Sequence, residues 1–365
     1  MSSIQIYYRE TAKISRQLLS AITGPIIGLK KEGLNSHARN YDLCPASCQF
    51  KSVNPETKNS LCSKACEFDI PKTKNTYVYE NKEYKIKDTW VKHKFTKSQI
   101  RMIVFYHFLV EGSAGLISNL SDLFIATALD ISTRTVREVN RVLVELGIIS
   151  KYKGYPHSYY HIIIKDYQRY HLNKIQEQGI GGYLEFPVEF LREVILPKKE
   201  RESVVYALRT FMSTTGGATN PIVSYKEINC YTSKGKQYTK AYMERMNSIK
   251  ECVTYAVFGD GIKLYLRDAM NIRRLRPKKL GEIDVAVHLA AKENDIQLQE
   301  KDFEDCRQLG LEYGLDMFCF AVKSIFRLFK DTLSVGAPIG SVLRNHLQSI
   351  KINSRMMRRS SVVAS

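Results

Sequence analysis

The stretch Asp122–Arg141, DLFIATALDISTRTVREVNR, constrains the local fold more than any other part of the chain. Ile125, Ala126 and Leu129 fall on one face of a first helix, and Ala126 is small enough for a second helix to cross closely over it. Ser132 suits the N-cap of that second helix, which the spacing of Val136, Val139, Leu143 and Leu146 predicts from about Thr133 to Leu146. Gly147 supplies a left-handed stop. The tight turn between the helices has Asp130 where Gly is the commoner occupant, and Asp tolerates the left-handed conformation better than most residues. Left on the outward face of the second helix are Thr133, Arg134, Thr135, Arg137, Asn140 and Arg141.

These are residue types that bond phosphates or base edges, Arg to guanine and Asn to adenine being the usual bidentate pairs. The pattern resembles a helix-turn-helix, in which the second helix enters the major groove of duplex DNA. The flanks extend the likeness. Ile148–Ile164, IISKYKGYPHSYYHIII, reads as two strands joined at Gly154-Tyr155-Pro156-His157, with Lys151 and Lys153 near the tip. Upstream, Thr96 and Gln99 make a capping-box pair that opens a helix through Val110. Helix, helix, recognition helix and hairpin in this order resemble the winged-helix family over residues 96–166. The resemblance implies DNA binding, although winged helices also serve as protein-interaction modules.

Composition agrees with a polyanionic partner. Lys and Arg number 55 against 37 Asp and Glu, a formal net charge of +18 and a pI near 9.4. Residues 277–365 carry 13 basic against 11 acidic side chains, so this quarter is expected to meet protein rather than DNA. A hydrophobic fraction of 44% with 25% charged residues describes packed cores. No apolar run reaches the roughly eighteen residues of a membrane span, and the first residues lack the apolar core of a signal peptide. A cytoplasmic, nucleoid-associated protein is the expectation.

Eight cysteines without an export signal are expected to be reduced. Four of them form a small duplication, LCPASCQF at 43–50 and LCSKACEF at 61–68. Cys44, Cys48, Cys62 and Cys66 can close a structural tetrahedral Zn²⁺ site with no position open to water. Their C-x3-C spacing departs from the common C-x2-C knuckle, and buried or free thiols, a disulfide or an iron–sulfur cluster remain as alternatives.

Before these pairs, residues 2–31 read as a helix with Ile14, Leu18, Leu19 and Ile22 on one face. After them, residues 73–86 read as a basic hairpin turning at Glu80-Asn81-Lys82. Beyond Tyr170 come a linker-like stretch, a short strand with a helix starting near Pro187, and a helix burying Val204, Val205, Ala207, Leu208 and Phe211. A capping box at Ser224 and Glu227, a basic helix from about Lys236 to Cys252 and a hairpin over Val253–Arg267 follow. In order, these resemble a second, diverged winged helix, with Lys234, Lys236, Gln237, Lys240 and Arg245 around its reading helix; an unrelated α+β domain is the alternative.

Tandem winged helices resemble the initiator proteins of plasmids and phages that bind repeated origin sites. Near the C-terminus, apolar helices, a Gly-Ala-Pro break and a final helix carrying Pro338, Ile339, Val342, Leu343 and Asn345 are loosely similar to DnaD-like replication organisers. The tail 351–365 is expected to be disordered.

No G-x4-G-K-[ST] loop is present, Gly179–Gly182 is a linker rather than a phosphate cradle, and no H-x-H motif suggests a nicking enzyme. Asp302, Glu304 and Asp305 read as a solvated acidic face. Neither an enzyme nor a nucleotide cofactor is expected. The whole reads as a predominantly helical α+β chain. It comprises an N-terminal region (1–95), tandem winged helices (96–170 and 171–276), a helical module for replisome partners or self-association (277–350) and the tail. The expected function is sequence-specific duplex-DNA binding in replication initiation. A transcriptional regulator and a protein scaffold are the alternatives, and the expected DNA contacts are Thr133, Arg134, Thr135, Arg137, Asn140, Arg141, Lys151, Lys153, Lys236, Gln237 and Lys240.

Overall fold

A computed structural model describes residues 8–23, 27–39, 71–80, 84–86, 89–91, 93–155, 158–171, 182–214, 222–224, 253–257, 259, 261–330 and 338–356. The four cysteines of the duplication, Lys236, Gln237, Lys240 and the basic helix expected around them lie outside the described residues. The chain is α+β and mostly helical, with small antiparallel sheets. It divides into two units, Pro25–Lys82 and the combination of Met1–Gly24 with Glu83–Ser365.

The larger unit opens with strand β1 (Thr11–Ser15) and helix α1 (Arg16–Ile22). A helix was expected through this stretch, but Ala12 and Ile14 are buried while Thr11 and Lys13 are half-exposed, the two-residue period of a strand. Ser15 caps the helix only at its end, accepting from Leu18 N at 3.4 Å. The partner of β1, brought in from far along the chain, is described below.

In the smaller unit, β2 (Ile27–Arg39) and β3 (Pro71–Glu80) pair antiparallel from Ile27↔Glu80 to Asn35↔Lys72. The hairpin expected within residues 73–86 does not form, since β4 (Tyr84–Ile86) pairs instead with β5 (Thr89–Val91). A three-residue strand could satisfy little of the ten-residue β3, whereas β2 satisfies most of it.

Helix α2 (Lys97–Leu109) starts at the expected capping box: Thr96 Oγ1 accepts from Gln99 N at 3.3 Å, and Gln99 Oε1 from Thr96 N at 2.9 Å. Every residue from Gln99 to Leu109 is buried, making α2 the axis of the unit. Strand β6 (Leu116–Leu120), helix α3 (Asp122–Leu129), helix α4 (Thr133–Glu145) and the strands β7 (Ile149–Lys153) and β8 (Tyr160–Ile164) follow. The sheet order is β6-β8-β7, all antiparallel. Asp130 takes the left-handed conformation at φ 48° and ψ 57°, Ser132 caps α4 through Thr135 N at 3.0 Å, and Gly147 sits at φ 68°.

Arg101 of α2 is buried and serves as a shared cap. Its Nε donates to Ile195 O at 2.7 Å, and its Nη2 to Leu129 O at 2.8 Å and Leu196 O at 2.7 Å. Burial lowers its pKa, opposed by Asp130. Carbonyls at two helix ends thus find a cation where the helix dipole favours one.

Strand β9 (Tyr183–Pro187) pairs antiparallel with β1, from Thr11↔Pro187 to Ser15↔Tyr183, and runs into a short helical segment, Val188–Ile195. Helix α5 (Arg201–Thr214) buries Val204, Val205, Ala207, Leu208 and Phe211. Strands β10 (Ile222–Ser224), β11 (Val253–Val257) and β12 (Gly261–Leu266) then form a sheet in the order β10-β12-β11.

Among the described residues the last four helices are α6 (Ile272–Glu293), α7 (Glu300–Tyr313), α8 (Leu315–Leu328) and α9 (Ile339–Met356). Val287, Leu309, Phe318, Val322, Phe326 and Leu343 anchor their common core. Asp302 accepts from Gln299 N at 2.9 Å and so caps α7. The disorder expected from residue 351 does not begin there: α9 continues to Met356 and buries Lys351, whose ammonium lies 3.8 Å from Glu111 and 5.4 Å from the Tyr313 ring centroid.

Glu10 clasps these helices to the N-terminal strand. It is buried, accepts from Leu315 N at 2.7 Å at the start of α8, and pairs with buried Lys279, which also reaches Glu189 at 2.7 Å. Its backbone N–H bonds Leu311 O at 3.1 Å and its carbonyl accepts from Val188 N at 2.8 Å.

His107 is buried in α2 with Nδ1 2.7 Å from Ile103 O and Nε2 3.1 Å from Tyr170 Oη. Since the carbonyl only accepts, Nδ1 carries the proton and Nε2 accepts from the phenol. Burial lowers this imidazole to about 4, against the hydrogen bond to Ile103. A group depressed on folding contributes stability that is complete above its unfolded pKa near 6.5 and lost as pH falls towards 4. Denaturant unfolding at pH 7.5 and 4.5 should therefore show wild type losing up to about 3 kcal/mol more than His107→Gln; equal losses would refute the assignment.

Candidate nucleic-acid interface

Helix α4 is amphipathic by construction. Val136, Val139 and Leu143 are buried against α2 and α3, which turns the opposite face outward. There the Arg134 side chain is 88% exposed and that of Arg137 68% exposed; Arg141 is likewise exposed. Thr133 and Thr135 are half-exposed at the helix start, with the Thr135 hydroxyl 2.8 Å from Ser132 Oγ. Lys151 and Lys153 are exposed on β7, where the hairpin projects beside α4. Helix and hairpin flank a groove of about 860 Å³ lined by the cations Arg137, Arg141, Lys151 and Lys153, the carboxylates Asp122 and Glu145 and the apolar Leu123 and Val144.

Asn140 corrects the expectation of an outward-facing base contact: it is 2% exposed. Its Oδ1 accepts from Tyr106 Oη at 2.6 Å and its Nδ2 donates to Tyr160 Oη at 3.1 Å. The helical period explains the placement, because Asn140 lies four residues after Val136 and three before Leu143, on the same inward face. An amide there is tolerated because two phenols satisfy it. The hydrogen bonds continue outward, Tyr160 Oη donating to Asp122 Oδ1 at 3.0 Å and Arg137 Nε to Asp122 Oδ2 at 2.9 Å. Burial raises the pKa of Tyr106 and Tyr160, so both phenols stay protonated donors.

Residues that pattern alone did not select therefore complete the site. Asp122, Tyr106 and Tyr160 were detectable only through the general need of a buried phenol for a partner. Lys151 lies over the Tyr160 ring at 3.7 Å from its centroid; partial desolvation lowers its pKa, opposed by Asp122.

Each arginine of α4 has a carboxylate partner in the free protein. Arg134 meets Glu138 at 3.0 Å and Arg141 meets Glu145 at 3.5 Å, both one turn on. Exposed pairs contribute about 0–1 kcal/mol, and the Arg-before-Glu order is the weaker orientation on a helix. A phosphate can therefore take either arginine at small cost.

Among the described residues no group of three or more His, Cys, Asp or Glu side chains is placed to hold a metal. No described helix is long and apolar enough to cross a membrane. Comparison of the chain with protein-family models, curated proteins and solved structures finds no match.

The two polar types on α4 should respond oppositely to truncation. Asn140→Ala takes from buried Tyr106 its acceptor and from Tyr160, which keeps its bond to Asp122, an incoming N–H, and is expected to cost about 1–3 kcal/mol of stability. Arg134→Ala should stay within about 0.5 kcal/mol of wild type. Urea unfolding of both variants measures this, and an Asn140→Ala protein as stable as wild type would show that the buried network carries no weight.

Proposed function

We propose that this chain binds duplex DNA sequence-specifically, with α4 as the reading helix in the major groove and the β7–β8 hairpin as a wing against the backbone. The carrying observation is the outward face of α4, which presents Arg134, Arg137 and Arg141, the last two lining one groove with Lys151 and Lys153, on a scaffold of α2, α3 and a three-stranded sheet. Helix, strand, helix, helix and hairpin in this order support a winged-helix reading of residues 96–166. Thr133 and Thr135, at the start of α4, are assigned to phosphate together with Arg134, Arg141 and the two lysines.

A tandem arrangement is supported by topology. Helix α5 precedes β10 as α2 precedes β6, and the order β10-β12-β11 repeats the order β6-β8-β7. Two reading units on one chain suit directly repeated sites, the arrangement of replication origins, and we assign the protein to replication initiation on that ground. Protein contacts, with replisome components or a second copy, fall to the C-terminal helices, where Phe320 and Leu328 are exposed on α8.

The test is titration of the full chain with duplex DNA from the flanks of its own gene at several salt concentrations. Each phosphate neutralised adds about 0.9 to the negative slope of log K against log salt. Lys153→Gln is expected to reduce that slope by about 1 while weakening all sequences alike. A wild-type affinity indifferent to salt would overturn the proposal, and protection of inverted rather than direct repeats would move it to a transcriptional regulator.

A further inference from the structure

The three arginines of α4 are not equivalent. Arg134 and Arg141 pair with glutamates on their own helix that are more than half exposed, so neither partner is fixed. Arg137 is held by a carboxylate from a different helix. Asp122 is 21% exposed, and its second oxygen is occupied by the Tyr160 phenol, itself locked to Asn140 and Tyr106 in the buried interior. The contact to Arg137 uses Nε alone, at 2.9 Å. Among the described residues no partner engages its two terminal nitrogens, which form the end of the guanidinium fork.

Resting on the DNA-binding reading above, we infer that Asp122 is a positioning residue that fixes the guanidinium plane of Arg137 so that its Nη1 and Nη2 pair reads a guanine in the major groove.

The chemistry favours a base over a phosphate. The O6 and N7 acceptors of guanine lie side by side on the groove edge and match a fork whose plane is already set. A phosphate needs no such orientation and binds any accessible cation. Asp122 also opposes phosphate, since its negative charge beside Arg137 lowers the attraction of that spot for the uniform charge of the backbone. The arginines with loose partners, Arg134 and Arg141, keep the freedom to follow phosphates. Specificity on this face therefore comes from one braced arginine, and affinity from the mobile ones around it.

Selection from a pool of randomised duplexes at physiological salt, with full-length wild type, Asp122→Asn, Arg137→Lys and Arg134→Lys, tests the inference. The Asn side chain can still accept from Tyr160, and thermal unfolding of each variant confirms that it is folded. Wild type should demand guanine at one position. Arg137→Lys keeps the charge but loses the fork, and should flatten that position about tenfold, within the range expected for one bidentate pair. Asp122→Asn should flatten the same position by a similar factor and leave other positions intact, with binding to unrelated duplex equal or tighter. Arg134→Lys should leave the preference unchanged.

A guanine preference that survives Asp122→Asn overturns the positioning role, as does a uniform loss at every position. Duplex binding by wild type without any base preference overturns the inference while leaving the DNA-binding reading intact. Failure of wild type to bind any duplex removes both.

Discussion

The hydrogen-bonded chain from Tyr106 through Asn140 and Tyr160 to Asp122 is the interaction on which the candidate interface depends. It joins four elements with different jobs: the central helix α2, the outward helix α4, the hairpin strand β8 and the first turn of α3. Every polar group in it has a partner, so the network specifies one arrangement instead of leaving a buried donor to seek another. A half-satisfied version would cost about 1–3 kcal/mol for each orphaned group. That asymmetry makes the chain a register pin, fixing how far α4 rotates about its axis and which residues it presents outward.

The energetics of the face follow from where its charges lie. Ion pairs among exposed side chains contribute about 0–1 kcal/mol and yield easily to a new partner. The pair between Arg137 and Asp122 is anchored at one end in the interior, and the contrast between these two kinds of pair divides one helix face into a rigid part and an adaptable part. The clasp of Glu10 on Lys279 and the start of α8 does comparable work elsewhere, tying the C-terminal helices to the strand beside β9. Removing one member of such a buried pair typically costs about 3–5 kcal/mol, so the helices are expected to hold a fixed position against β1.

Much of this was legible in the sequence wherever local chemistry decides. The capping box at Thr96 and Gln99, the N-cap at Ser132, the left-handed Asp130 and Gly147 and the hairpin bracketed by Lys153 and Tyr160 are short-range features whose residues carry their own reasons. Where partners come from afar, local pattern does not reveal them. The apolar spacing around residues 11–15 fits a helix, and the strand partner that decides otherwise lies some 170 residues away at 183–187. The hairpin expected at 73–86 lost to a longer ladder with residues 27–35. Asn140 was placed outward by residue type although its helical position pointed inward, and a buried polar group cannot be inferred until its partners, here Tyr106 and Tyr160, are known to meet it. Lys351 likewise looked like tail until α9 was seen to carry it onto Tyr313 and Glu111.

The central claim is that α4 and its adjacent hairpin form the surface that meets DNA. Photo-crosslinking tests it most directly, with a benzophenone side chain replacing exposed Tyr152 on β7 in one protein and exposed Phe320 on α8 in another. Both variants leave the arginines of α4 intact. The account predicts a duplex crosslink from position 152 that unlabelled duplex competes away and high salt abolishes, with none from position 320. Crosslinking from position 320 equal to that from 152, or none from 152 under conditions where the chain binds duplex, would contradict it.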